Sequence, residues 1–161
     1  MTSATRLLAA CGVAAAIGAL SAGWARADLT FGVSLPLTGA ASGLGIPVKS
    51  GFALWPREIA GEKLNLILLD DASDPTAANK NARRFVMEDK VDLIIGSAMT
   101  PAALAMVGVA AEARTVQIAV SPIDLPPGKD AWSFRIAHST ATMALALGEH
   151  MHKHGVKTLG F

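Results

Sequence analysis

The chain of 161 residues has a single cysteine, no tyrosine, few aromatics and no excess of charge. The cysteine is Cys11, near the start. A lone thiol closes no intrachain disulfide and builds no multi-thiolate metal site, so stability has to come from packing. With tyrosine missing and aromatics at 5% of residues, there is little from which to build a base-stacking surface for nucleic acid. Charged residues make up 17% and the formal net charge is +1, which gives no electrostatic footprint for nucleic acid or an anionic membrane. The longest apolar run, Leu7 to Leu20, falls short of the roughly 20 residues of a spanning helix. Catalytic patterns are missing too. No serine sits in a nucleophile elbow, and no carboxylate pair has a supporting base, so the sequence does not read as an enzyme.

Residues 1–27 read as a cleaved secretory signal and are set apart from the fold. Arg6 precedes the apolar run, and Ala25-Arg26-Ala27 fits the small-x-small cleavage rule, leaving Asp28 as the first mature residue. Losing Arg6 and Arg26 turns the formal charge from +1 to −1. Leu8-Ala9-Ala10-Cys11 is the competing feature, a lipoprotein box that would anchor the protein through Cys11. Only four residues then separate Arg6 from that cysteine, too few for the usual apolar core. A cleaved signal and a periplasmic location are therefore the expectation. The remaining ~134 residues suffice for a domain with a sizeable core.

From residue 28 onward, strand and helix signals alternate. Leu29–Leu35 reads as a first strand, followed by small residues to Gly45 and a helix from about Pro47. That helix would carry Val48, Phe52, Trp55 and Ile59 on one stripe, kinked or divided at Pro56. Leu64–Leu69 is a second strand, and Asp74-Pro75 opens a helix with Ala78, Ala82, Phe85 and Val86 on its buried face. Val91–Ile95 is an apolar, β-branched run of the kind buried on both faces. After Gly96, Thr100-Pro101 reads as N-cap plus proline, starting a helix with Leu104, Val107 and Ala111 on one face. Val116–Val120 and Trp132–Ile136 are further extended pieces, separated by a loop over Leu125–Lys129. Ser139 caps a last helix that presents Met143, Leu147 and Met151 and stops at Gly155; Val156–Phe161 starts one more strand. This alternation predicts an α/β fold, a parallel sheet with helices on both faces and right-handed crossovers.

The turn at Gly96–Thr100 is the focal point. Backbone N–H groups, the positive end of a helix dipole and a hydroxyl would meet there at the carboxyl edge of the sheet, where open α/β sheets bind small and often anionic ligands. Other motifs are weaker. Gly43–Ser50 approaches a phosphate-binding loop, but Val48 replaces its last glycine and Pro47 deletes a donor. Asp70-Asp71 lacks the third aspartate of a Mg²⁺ site and reads as a polar strand end feeding the Asp74 cap. His150 and His154 share a helix face with no acidic or cysteine partner nearby apart from Glu149, and histidines suit a helix C-terminus as cations. No metal or cofactor is expected.

In order and spacing, several features resemble the type I solute-binding proteins of ABC transporters, of the leucine/isoleucine/valine type. They are Pro36-Leu37-Thr38-Gly39, Gly45 with Gly51, Asp70-Asp71 through Asp74-Pro75, Lys90-Val91-Asp92 into Ile95-Gly96, Ser121-Pro122 and Trp132-Ser133-Phe134-Arg135. The resemblance implies two α/β lobes closing by a hinge on a ligand in the cleft between them, and delivery of that ligand to the membrane subunits of an ABC permease. It also implies that 28–137 is the first lobe, incomplete, and 138–161 the truncated start of the second. By position, Thr100 receives a ligand carboxylate, and Ser121 to Leu125 forms the loop that takes an amino group. Leu44 falls where an aromatic side chain often lies against the ligand, with Met99 as a second apolar wall. Asp124 and Leu125 stand where amino-acid binders tend to have a small residue and a threonine. The implied ligand is therefore a branched-chain amino acid, another small carboxylate-bearing solute, or, through Asp124, a molecule with a cationic group. An exported sensor of the same fold, regulating a partner protein, is the alternative use.

Overall fold

The computed structural model describes residues 28–125, 128 and 131–160. The expected signal peptide, with Cys11, lies outside them, as does most of the 125–129 loop. Along the chain run β1 (Leu29–Leu35), α1 (Ser42–Phe52), β2 (Glu58–Ile59), β3 (Glu62–Asp70) and α2 (Pro75–Arg84). A π-helical turn (Phe85–Asp89) leads into β4 (Leu93–Gly96), α3 (Thr100–Ala113), β5 (Val116–Ala119), β6 (Ser133–Arg135) and α4 (Thr140–Lys153). The six strands form one sheet in the order β2-β3-β1-β4-β5-β6. Every pairing is parallel except β2 with β3, so the sheet is mixed at one edge.

Strand alternation decides what each face buries. Phe31, Val33 and Leu35 point with Leu68 and Ile95 to one side, where Val48 and Phe52 of α1 cover them. The opposite face carries Ile67, Leu69 and Ile94, packed beneath Ala78 and Ala82 of α2, Phe85, and Ala102, Met106 and Val109 of α3. Helices thus lie on both faces, as the apolar pattern implied. Gly32 is a point of close approach: a Cβ there would stand 2.5 Å from Cγ of the buried Phe85 ring. Asp74 caps α2 as expected, its Oδ1 accepting the Ala77 N–H at 2.7 Å. Ser139 caps α4 in the same way, accepting from Thr142 N–H at 3.0 Å.

Four expectations are corrected. The first helix starts at Ser42 rather than near Pro47 and ends at Phe52, so Pro47 lies inside it and Pro56 beyond it. Ile59 leaves that helix for β2, where Ala60 and Gly61 take the left-handed conformations of a two-residue hairpin turn (φ 53° and 83°). Thr100 is not the N-cap of α3. Met99 is extended at φ −106°, ψ 125° and holds that position, which puts Thr100 in the first turn. Leu104, Val107 and Ala111 do share one side of α3, where they line an open cavity, while its buried residues are Ala102, Ala103, Met106, Val109 and Ala110. Small apolar residues surround this helix, so period alone does not tell which side is buried. Finally, residues 156–160 form no strand.

Candidate functional site

Because β1, β3, β4, β5 and β6 run parallel, the loops that follow them leave from one edge of the sheet. Leu44 stands on the first turn of α1, Met99 and Thr100 begin α3, and Ser121 and Asp124 follow β5. All five expected site residues therefore belong to this edge. They differ in how they are held.

The loop after β1 is pinned by Asp70. Its Oδ1 accepts the N–H groups of Leu37 (2.9 Å), Thr38 (3.2 Å) and Ala72 (2.8 Å), and its Oδ2 accepts the Thr38 hydroxyl at 2.6 Å. Burial pushes this carboxyl upward, but these four hydrogen bonds outweigh it and hold the pKa below the ordinary aspartate value. Ser73 Oγ donates to Thr38 O (2.8 Å) and accepts from Ala41 N–H (2.9 Å). Gly39, at φ 79°, leaves no room for a Cβ, which would come within 2.5 Å of Ala72 O. From this fixed loop α1 presents Leu44, 55% exposed. Residues 43–50 are helical, so their amides are not arranged as a phosphate loop.

The turn after β4 rests on Asp71, whose side chain is 0% exposed. Its Oδ2 accepts the hydroxyls of Ser97 (2.8 Å) and Ser34 (3.3 Å), and its Oδ1 accepts Ser73 N–H at 3.1 Å. Desolvation dominates, and the pKa is raised despite the donors that oppose it. Ser97 Oγ in turn accepts Met99 N–H at 3.3 Å. On the far side, the buried Gln117 donates from Nε2 to Gly96 O (3.1 Å) and Ala103 O (2.9 Å), and its Oε1 accepts the Ser133 hydroxyl (3.0 Å). The first intrahelical bond of α3 runs from Ala103 N–H to Met99 O. Thr100 and Ala102 precede it, and Pro101 has no N–H, so those two amides have no acceptor within the helix. Met99 is half-buried against the α2–α3 core.

The loop after β5 carries Ser121, 2% exposed, whose Oγ has no hydrogen-bond partner among the described residues. Its carbonyl accepts Ile123 N–H at 2.9 Å. Asp124 is engaged within the chain: Arg135 Nη1 lies 2.7 Å from its Oδ1 and donates to Ile123 O at 2.6 Å. These residues, with Leu125 and Ser133, line a cavity of about 300 Å³. A ligand cation would have to compete with Arg135 for Asp124. His150 and His154 lie elsewhere, on α4, their rings stacked 4.1 Å apart. No group of three metal-binding side chains occurs among the described residues, and none of their helices is long and apolar enough to cross a membrane.

Sequence reading found the edge but missed Ser34, Ser97, Gln117 and Arg135. The inward aspartate was within reach. Ile67 and Leu69 face the core, so the same parity puts Asp71, not Asp70, beneath α3.

The geometry can do one thing well: offer hydroxyls and helix amides to a small polar group at this edge. The chain as a whole is similar to known structures. An extracellular ligand-binding receptor from Rhodopseudomonas palustris is 42% identical with a TM-score of 0.79, over 82% of this chain and 37% of its own. A solute-binding protein of an ABC transporter from R. palustris BisB5, solved with 3,4-dihydroxybenzoic acid, is 27% identical with a TM-score of 0.73, over 81% and 37%. A leucine-binding protein, LivK, from Thermotoga maritima MSB8 is 26% identical with a TM-score of 0.70, over 78% and 37%. The chain thus spans a little over a third of the length of these relatives. A comparison with curated proteins returned no match. The family model described as periplasmic binding protein matches residues 28–161, and the chain belongs to that family.

Proposed function

We propose that this chain supplies the first ligand-holding lobe of an exported receptor, which captures a small organic carboxylate and delivers it to the membrane subunits of an ABC importer. Residues 28–137 form that lobe, and 138–160 lead toward a second lobe that closes on the ligand by a hinge. Closure is stabilised by whatever contacts the ligand makes to both lobes. No chemistry on the ligand is required of any residue here. Residues 1–27 direct export to the periplasm.

The observation that carries this reading is the start of α3. Two amides without helical acceptors, the Thr100 hydroxyl and the positive end of a 14-residue helix stand at the edge where the β5 loop places Ser121. A carboxylate accepts hydrogen bonds only, and these groups donate. Leu44 adds an apolar wall, which suits the hydrocarbon part of a ligand. The relatives solved with 3,4-dihydroxybenzoic acid and named for leucine both point to a carboxylate, aromatic in one case and branched aliphatic in the other. Asp124 is paired with Arg135, so the part of the ligand beyond the carboxylate meets a neutralised loop.

Thr100→Val tests the assignment. It removes one donor while keeping the shape, and affinity should fall by about 1 to 3 kcal/mol. NMR shift titrations of the chain with 3,4-dihydroxybenzoate and with leucine measure it. An unchanged dissociation constant for the ligand that binds refutes the role of Thr100, and no binding of either refutes the carboxylate reading.

A further inference from the structure

We infer that Asp71 is a positioning residue of this site: by holding the Ser97 hydroxyl it fixes the Met99 N–H, and with it the angle at which α3 presents its free amides. The inference rests on the carboxylate reading for its purpose, but not for its mechanics. Ser97 has one hydroxyl proton, and at 2.8 Å that proton is committed to Asp71 Oδ2. The lone pairs of Ser97 Oγ are then left to face the Met99 N–H, 3.3 Å away. A hydroxyl free to rotate would give no such direction; the carboxylate supplies it. The anchor is itself tied to its neighbours. Asp71 also accepts from Ser34, which in turn accepts from Asn81 Nδ2 at 3.1 Å, and Asn81 further donates to Asp70 O at 3.0 Å. The chain of contacts thus ties β1, β3 and α2 to the first turn of α3, while Gln117 fixes Gly96 O and Ala103 O from the other side.

A purely electrostatic role makes the opposite forecast. A buried negative charge behind an anion site repels the ligand, so neutralising it would tighten binding. The surroundings of Asp71 contain little else that titrates. Asp70, adjacent in sequence, is its charged neighbour. β1 offers Ser34, α2 offers Asn81 through Ser34, the β4–α3 turn offers Ser97, and the carboxylate of Asp74 is turned to Ala77 N–H.

The first test starts from the unaltered, isotope-labelled chain, so its deciding readout needs no variant to fold. Followed by NMR across pH, the Met99 amide signal should shift with the same midpoint as the Asp71 side-chain carboxyl. Ser97→Ala should abolish that shift and Ser97→Thr should restore it. The second test is affinity for 3,4-dihydroxybenzoate. Asp71→Asn and Ser97→Ala should each weaken it by roughly 3- to 10-fold, and the double variant no further, as expected of residues acting through one contact. A Met99 amide that ignores the Asp71 titration, or an Asp71→Asn chain that binds more tightly, overturns the inference. A chain that binds neither 3,4-dihydroxybenzoate nor leucine overturns the carboxylate reading, while the linked titration still decides whether Asp71 sets the Met99 amide.

Discussion

Asp70 and Asp71 are neighbours in sequence and opposites in chemistry. The strand alternation that sends one side chain toward the solvated β1 loop sends the next beneath two helices. Asp70 is held ionised by four donors, while burial favours the proton on Asp71. The consequences for stability have opposite signs. A carboxyl raised by folding binds its proton more tightly in the native state, so its contribution is full below the ordinary aspartate pKa and is lost as pH rises through the raised one. Asp70, lowered by folding, contributes above the ordinary value, and this is lost as pH falls through its depressed pKa. The two windows lie on either side of the ordinary aspartate value. Urea unfolding at a series of pH values should therefore show Asp71→Asn with a flatter profile than the unaltered chain on the high side of that value, and with the acid limb retained. Gly32 gives a second residue-scale prediction, this one steric. A methyl at 2.5 Å from a fully buried ring has to displace Phe85 or the strand, so Gly32→Ala should cost about 1 to 3 kcal/mol in chemical denaturation.

At the scale of elements, the legible parts were those whose signals were local. Leu29–Leu35 announced β1 by its apolar character, and Asp74-Pro75 and Ser139 announced two helix starts by their capping chemistry. The illegible parts depended on something distant or degenerate. Pro47 looked like a helix opening, yet the helix tolerates it inside because Pro36 and Phe52 already fix α1 against the sheet, with Gly45 packed on Pro36. Nothing in Ala60-Gly61 resembles the Asn-Gly or Asp-Gly signature of a hairpin, so β2 went unseen. Which side of α3 is buried was not legible because alanines cover that helix, and packing against α2 decides it. Met99 took the cap from Thr100 because it is the extended residue whose carbonyl accepts the first helical N–H, from Ala103. α4 is a different case. Its cap was legible, but none of its 14 residues is buried. A helix of that length without tertiary packing is marginal in water. Amide exchange in this chain should run far faster across Thr140–Lys153 than across Thr100–Ala113, and comparable protection in both helices would show that α4 has a partner surface.

At the scale of the whole molecule, sequence order disclosed the family while leaving the ligand open. The motifs that carry the resemblance, such as Asp70-Asp71 and Trp132 to Arg135, supply structural ties within the fold, which name no ligand. The same separation appears in the surface. α1 covers β1 and part of β4, but an apolar groove of about 370 Å³ remains beside it, lined by Val48, Phe52, Trp55, Ile95, Ile118, Val120 and Ile136. Ile136 is 70% exposed, and Leu145 and Leu147 of α4 are exposed as well. Contiguous apolar surface of this kind is uncommon on soluble monomers and promotes association when nothing covers it. Sedimentation velocity should show the chain associating as its concentration rises. Ile136→Glu places a charge at the mouth of the groove without touching Asp71, Ser97 or α3, so it should suppress association and leave the Met99 amide signal in place. A chain that stays monomeric at high concentration would mean that the groove is too narrow or too well hydrated to drive contact. Association that persists in Ile136→Glu would move its origin to α4, where Leu145→Lys and Leu147→Lys would then be expected to abolish it.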